Sequence, residues 1–290
     1  MAEITASLVK ELRELTGAGM MECKKALTEA CGEMDKAVDV LRTRGLAAAA
    51  KKAGRATNEG LVVAKLSENC KKAVLVEVNC ETDFVSRNET FAAFASKVAA
   101  AALAAEPADL EALKAADVDG QSVEALVTEA IHTIGENIQV SRFVCRESAT
   151  GVFASYIHGV GRLGILVEFA LANASLSDND AFKSMAKDIA MQIAAANPGA
   201  ISRESFSADV IAHEMEIYKA QAAESGKPEN IQEKMAEGRL EKFYKENALL
   251  EQAFIKDPDI TVRAYISSVA KQLGDTIDVV AFDRFELGGN

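Results

Sequence analysis

The chain has 290 residues, 49% of them hydrophobic, no Trp, and a formal net charge of −12. That length points to a soluble protein of more than one domain, and alanine-rich helical runs with few prolines favour α+β over all-β. The charge argues against non-specific RNA or DNA binding, which draws on Lys and Arg neutralising phosphates, and no apolar run approaches the ~20 residues that span a bilayer.

The opening Met-Ala-Glu-Ile-Thr reads as neither a secretion signal nor a transit peptide. Five cysteines form no Cys-x-x-Cys pair, and their odd number argues against a disulfide framework. Both observations point to a cytoplasmic protein with reduced thiols. Residues 1–54 carry nine Lys/Arg against eight Asp/Glu, so the negative charge lies beyond them.

Those first residues predict three short helices. The first spans residues 4–16 with Ile4, Leu8, Leu12 and Leu15 on one face. After Gly17-Ala18-Gly19, a second covers 21–31 and a third 35–44 with Val38 and Leu41 inward. The run Ala47-Ala48-Ala49-Ala50-Lys51-Lys52-Ala53 predicts a helical connector. Three short helices make a small, marginally stable core.

From Gly60 onward the sequence repeats. At an offset of 91, Gly60 falls on Gly151, Leu75-Val76-Glu77 on Leu166-Val167-Glu168, Asn88 on Asn179 and Phe91 on Phe182. Each copy reads strand, turn, strand, helix. At an offset of 139, Ile134-Gly135-Glu136-Asn137-Ile138 meets Leu273-Gly274-Asp275-Thr276-Ile277, a glycine-ended helix followed by a strand. The 48-residue difference is an insertion in the second copy, at about 199–257. It holds two helices, at 208–224 and 229–247, joined by Ser225-Gly226-Lys227-Pro228. Ile211, Met215, Tyr218, Ala222, Ile231 and Met235 fit the facing sides of an antiparallel pair. Its outer apolar side either meets a second chain or the arm stiffens the domain.

The copies differ at one loop. Thr82-Asp83-Phe84-Val85 in the first stands where the second has Asn173-Ala174-Ser175-Leu176. Asn88 is a good N-cap for the helix after it, with Phe91 and Phe94 inward. The bland reading tucks Phe84 under that helix and makes Asp83 its cap. The repeat favours a functional addition, because the second copy folds without the pair.

Other signatures of chemistry fail. Gly159-Val160-Gly161-Arg162-Leu163-Gly164 spells G-x-G-x-x-G, but a strand-like run follows it where a dinucleotide fold needs a helix. There is no G-x-x-x-x-G-K-[ST] loop, no zinc-binding histidine pair and no G-x-S-x-G. No catalytic residue, cofactor or metal is expected.

Two stretches carry a resemblance. Thr16-Gly17-Ala18-Gly19-Met20-Met21-Glu22-Cys23-Lys24-Lys25-Ala26-Leu27 and Val78-Asn79-Cys80-Glu81-Thr82-Asp83-Phe84-Val85 resemble signatures of the translation elongation factor Ts family. Ile134-Gly135-Glu136-Asn137-Ile138 and Tyr156-Ile157-His158 also resemble it, and the similarity runs over essentially the whole chain in the family's order. The resemblance implies an α+β fold: a ubiquitin-associated-like three-helix domain at 1–54, a core N-subdomain at 55–145, and a core C-subdomain at 146–290 with an antiparallel coiled-coil dimerisation insert. It implies guanine-nucleotide exchange on elongation factor Tu, both GDP-bound and nucleotide-free, without covalent chemistry. Thr82, Asp83, Phe84 and Val85 would reach the partner's Mg²⁺ site, Phe84 as a wedge and Asp83 through polar contacts. Met20, Met21 and Lys24 would meet the partner's GTPase domain, as would Ile134 and Gly135; His158 would reach another partner domain. Core packing for a methionine, a helix stop for Gly135 and a solvated turn for His158 are the competing readings. Some members carry a further C-terminal helical module beyond the last core strand, so no contact of that module is carried over. Two other function classes fit the same sequence: a binding module without exchange activity, and a small-molecule enzyme using the Gly159–Gly164 turn.

Overall fold

In the computed structural model, which describes residues 4–289, the chain is a mixed helix and sheet protein with antiparallel sheets. It opens with α1 (Ala6–Thr16), α2 (Met20–Glu29) and α3 (Met34–Lys52). Thr5 caps α1 by accepting the Leu8 N–H, and Gly17 ends it in the left-handed conformation. Val9, Leu12, Cys23, Ala26, Leu27, Ala37 and Leu41 form a small core of their own. Ile4, Leu8 and Leu12 of the expected α1 stripe face this core, but Leu15 is 67% exposed and Val9 is buried in its stead. The third helix and the alanine connector are one continuous helix. It passes through Gly45 because α7 packs against it there, with Thr128 and His132 facing the missing side chain.

The two copies follow. The first is β1 (Glu59–Leu66), β2 (Lys72–Cys80), α4 (Asp83–Ser86), α5 (Glu89–Ala105), α6 (Leu110–Ala115), β3 (Asp117–Val118), β4 (Gln121–Ser122), α7 (Val123–Ile134) and β5 (Ile138–Glu147). The second is β6 (Val152–His158), β7 (Leu163–Leu171), a 3-10 turn at Ala174–Asp178, α8 (Asp180–Ala196), α9 (Ala208–Ala223), α10 (Glu229–Asn247), β8 (Ala253–Phe254), β9 (Asp257–Thr261), α11 (Val262–Leu273) and β10 (Ile277–Glu286). The sheets run β1-β2-β5 and β6-β7-β10, both antiparallel. The duplication extends to details. Each sheet has a bulge at the same place, Ser141 on β5 and Val280 on β10. Ser122 caps α7 and Thr261 caps α11 in matching fashion. The short pieces α6, β3 and β4 lack the length to leave a periodic pattern, and sequence reading passes over them.

The two sheets pack face to face over Val62, Ala73, Leu75, Phe153 and Leu166. Their outer faces carry separate helix-covered cores, Phe91, Phe94 and Val98 of α5 on one side and Phe182, Met185 and Ile189 of α8 on the other. The glycine-rich turn between β6 and β7 touches β1 directly: Gly161 O accepts the Val62 N–H at 2.7 Å. Side chains at Gly161 and Gly164 would meet Leu61 and Val62 within 2.6 Å. Close sheet approach, not phosphate binding, explains the spelling of that motif. Across the far edge, Arg146 pairs with Asp283, and Arg142 lies over the Phe285 ring at 4.4 Å.

The insertion is a helical hairpin of α9 on α10. Ala222 and Ala236 are buried between the helices, with Ile211, Met215, Tyr218 and Met235 half-buried beside them. Ile231, placed inward by spacing, is 40% exposed in the first turn of α10. The hairpin is rooted by Arg203, which pairs with both Glu241 and Glu251 and stacks 4.7 Å over the Tyr244 ring. Phe206 completes that root against Phe243 and Tyr244.

Candidate functional site

The loop that distinguishes the copies is a single helical turn, α4, at the end of β2. Thr82 starts it: its Oγ1 accepts the Val85 N–H at 3.4 Å. Val85 packs on the first core and Ser86 is buried, its hydroxyl donating to Asp83 O at 3.0 Å. With those residues inward, Phe84 points out and is 84% exposed. The bland reading is thus overturned. Phe84 lies under no helix, and Asn88, not Asp83, caps α5 by accepting the Thr90 N–H at 2.8 Å. Asp83 faces Arg87 at 3.2 Å, an exposed pair on the same turn. Phe84 is thus a large apolar side chain held out in solvent by a turn whose Thr82, Val85 and Ser86 are anchored.

The anchoring comes from a carboxylate that sequence reading did not single out. Glu136 Oε2 accepts the N–H groups of Glu81 and Thr82, each at 3.0 Å. Its Oε1 accepts the Thr82 hydroxyl at 2.6 Å. The second copy keeps a reduced form, with Asp275 Oδ2 accepting the Asn173 N–H at 3.1 Å. An acid at the same repeat position was the signal available. Beneath the turn, burial and then the Glu136 carboxylate push the Cys80 thiol up to about 12. Cys80 Sγ donates to Thr82 O at 3.3 Å. It is an inert packing group at neutral pH.

The other expected contact residues gather around the end of α7. Ile134 is half-buried against the first core, and Gly135 is exposed at φ 89°, capping α7 through its N–H to Ile131 O. Gly17, before α2, lies 3.9 Å from Thr133 by the position a Cβ would take. Glu22 of α2 approaches His132 of α7 at 2.9 Å, close but not aligned as a hydrogen bond. Lys52 donates to Ile131 O at 3.2 Å. Met20 and Met21, 44% and 66% exposed, and Lys24 therefore face solvent beside the end of α7, and the core-packing reading of the methionines fails. Met21, Lys24, Lys25, Thr28 and Glu29 line a shallow groove of about 380 Å³. His158 is exposed at the end of β6, its Nδ1 2.9 Å from the Tyr156 hydroxyl. Its hairpin reaches the same end of the sheets: Arg162 contacts Glu59 at 3.4 Å, and Glu59 pairs with Cys80 in the β1–β2 register.

Among the described residues no group of three or more His, Cys, Asp or Glu side chains is placed to hold a metal ion, and no helix is long and apolar enough to cross a membrane. The turn after Gly159 leads into β7, so no helix follows it and the dinucleotide reading is excluded.

The family model described as Elongation factor TS matches residues 81–289. The protein of that name from Trichlorobacter lovleyi is 49% identical over 288 residues, 98% of this chain and 93% of that protein. The chain belongs to the elongation factor Ts family. The counterpart in Clostridium botulinum strain Alaska E43 is 50% identical over 286 residues, again covering 98% of this chain and 93% of that protein. Family membership places the chain among the elongation factors of protein biosynthesis, and the turn carrying Phe84 falls inside the matched span.

Proposed function

We propose that this chain is a guanine-nucleotide exchange factor for elongation factor Tu, speeding GDP release so that GTP can rebind during elongation. The observation that carries the reading is Phe84: 84% exposed on an anchored turn whose counterpart in the duplicated copy presents Ala174 and Ser175. GDP is held on a P-loop GTPase largely through its phosphates and a Mg²⁺ ion. A factor that binds best to the conformation with that site disturbed lowers the affinity for nucleotide, and rebinding of nucleotide expels the factor by the same coupling. Phe84 wedges between elements of the partner while Asp83 makes polar contacts beside it, with Thr82 and Val85 fixing the turn. Met20, Met21 and Lys24 on α2, with Gly135 and Ile134 nearby, grip the GTPase domain, and His158 meets a second partner domain. Nothing in this scheme asks for proton transfer or a cofactor on this chain.

The same reading divides the chain into a ubiquitin-associated-like module at 1–54, core halves at 55–145 and 146–290, and a coiled-coil insert at about 199–257, in a cytoplasmic protein. A homodimer through the insert would use the exposed Val210, Ile217 and Ile231; sedimentation equilibrium decides it by mass.

The test is release of a fluorescent GDP analogue from elongation factor Tu, chased with excess GDP. Acceleration by the wild-type chain, lost in Asp83→Ala/Phe84→Ala with folding intact, supports the reading. Binding without acceleration leaves a non-exchanging adaptor.

A further inference from the structure

Three segments distant in sequence meet in one polar clasp. Besides the three bonds that Glu136 accepts from Glu81 and Thr82, the Glu81 carboxylate accepts the Asn137 N–H at 2.6 Å and faces Arg55 at 3.3 Å. Asn137 is 2% exposed, and its side-chain amide donates to Arg55 O at 2.8 Å. The segment after β2 and the segment after α7 thus hold each other reciprocally, each by a carboxylate on the other's backbone. Arg55, just past α3, ties the helical module's exit into the same knot.

We infer that Glu136 is a positioning residue for exchange: its carboxylate fixes the direction in which the Asp83-Phe84 turn leaves β2, and couples that turn to the Gly135 end of α7. This rests on the exchange reading above. The physical argument is preorganisation. An exposed Phe84 has no packing to hold its own backbone, so the turn is ordered from behind or ordered at the moment of binding. Charge-assisted bonds to two successive N–H groups and a hydroxyl do the former. Removing the carboxylate leaves Glu81 N–H, Thr82 N–H and the Thr82 hydroxyl without it, so the turn is held only from its far side, by Val85 and Ser86, and the β2 end must be ordered during insertion. Asp275 provides an internal control, since it braces the matching Asn173 of the copy that carries no Phe84.

The chain contains no Trp, so a Phe84→Trp reporter gives a single-indole signal at the turn. Glu136→Ala and Asp275→Ala are made with and without that reporter, alongside Glu136→Gln, which retains one acceptor oxygen and is the variant read if Glu136→Ala does not fold. GDP-analogue release from elongation factor Tu is measured against factor concentration, with melting temperatures and indole anisotropy decay. The expected result is a maximal release rate lowered about tenfold or more by Glu136→Ala, partly recovered by Glu136→Gln, with little change in half-saturating concentration. The indole gains a fast depolarising component in Glu136→Ala but not in Asp275→Ala, and Asp275→Ala releases nucleotide at the wild-type rate. Wild-type release by Glu136→Ala, equal slowing by both alanine variants, or an indole no more mobile in Glu136→Ala would each overturn the inference. If the wild-type chain does not accelerate release at all, the exchange reading fails, while the anisotropy arm still reports whether Glu136 orders the turn.

Discussion

Gly60 and Gly151 stand at the same point of the two copies, and each turns its missing side chain toward a carbonyl of the adjacent strand. A Cβ on Gly60 would lie 2.2 Å from Val78 O and 2.7 Å from Asn79 Cα; on Gly151 it would lie 2.8 Å from Phe169 O. Val78 and Phe169 are themselves partners under the 91-residue offset. The repeated glycine is therefore a steric demand of the strand pair.

The two sites differ in severity, which gives a first prediction. Gly60 also has φ +147°, where an L side chain is strained, while the other close atoms at Gly151 are the ends of Ser148 and Glu168. Gly60→Ala should cost about 2–4 kcal/mol and Gly151→Ala about 1–2 kcal/mol. Urea melts of both variants check the order; equal costs would remove the argument from backbone strain.

Phe84 should separate activity from stability. Its exposure means that Phe84→Ala changes folding stability by less than about 0.5 kcal/mol. The same substitution should slow nucleotide release severalfold or more. Loss of the exposed Asp83–Arg87 pair in Arg87→Ala should cost no more than about 0.5 kcal/mol. Thermal melts run beside release kinetics test both statements on the same samples.

The crossing of α3 and α7 at Gly45 sets a limit on size. An added Cβ would sit 3.6 Å from Thr128 Cγ2 and 3.7 Å from His132 Cβ, which is ordinary contact. Gly45→Ala should therefore be neutral or stabilise by up to about 1 kcal/mol, since alanine is the better helix former. Gly45→Leu has no room and should lift the helical module off α7. Hydrogen exchange of the α3 amides reads this, with faster exchange expected for leucine only.

Alkaline stability should carry the mark of Cys80. Its thiol rises from 9.0 to about 12, chiefly through burial. Between those values the folded chain keeps a proton that the unfolded chain has lost, so unfolding free energy falls as pH rises through that window and is complete below it. Cys80→Ser should flatten the slope without removing it, because Tyr265, half-buried and donating to Asp188, is also raised to about 12. Denaturant midpoints from pH 8 to 11 provide the comparison. At pH 8 a thiol reagent should label exposed Cys31 well before Cys80.

Sequence by itself determined the duplication, the order of its longer strands and helices, and the one loop at which the copies part. These are local matters: continuous apolar runs mark β2 and β7, alternation marks the starts of β5 and β10, Asn88 and Asn179 announce their helices, and glycines at 135 and 274 end theirs. The residues at the distinguishing loop and on α2 were likewise named from the sequence and its resemblance. Tertiary structure alone decided which apolar side chains remain outside. Leu15, Ile231 and Phe84 carry the same hydrophobicity as their buried neighbours, and their exposure follows from how each element is docked. It also decided that α3 continues unbroken past Gly45 and that Glu136 holds Thr82. Those contacts join segments more than fifty residues apart, and a carboxylate's hydrogen-bond partners at that separation leave no trace in local pattern. Only folding brings the Gly135 end of α7 beside the end of β2, and with it the brace behind Phe84.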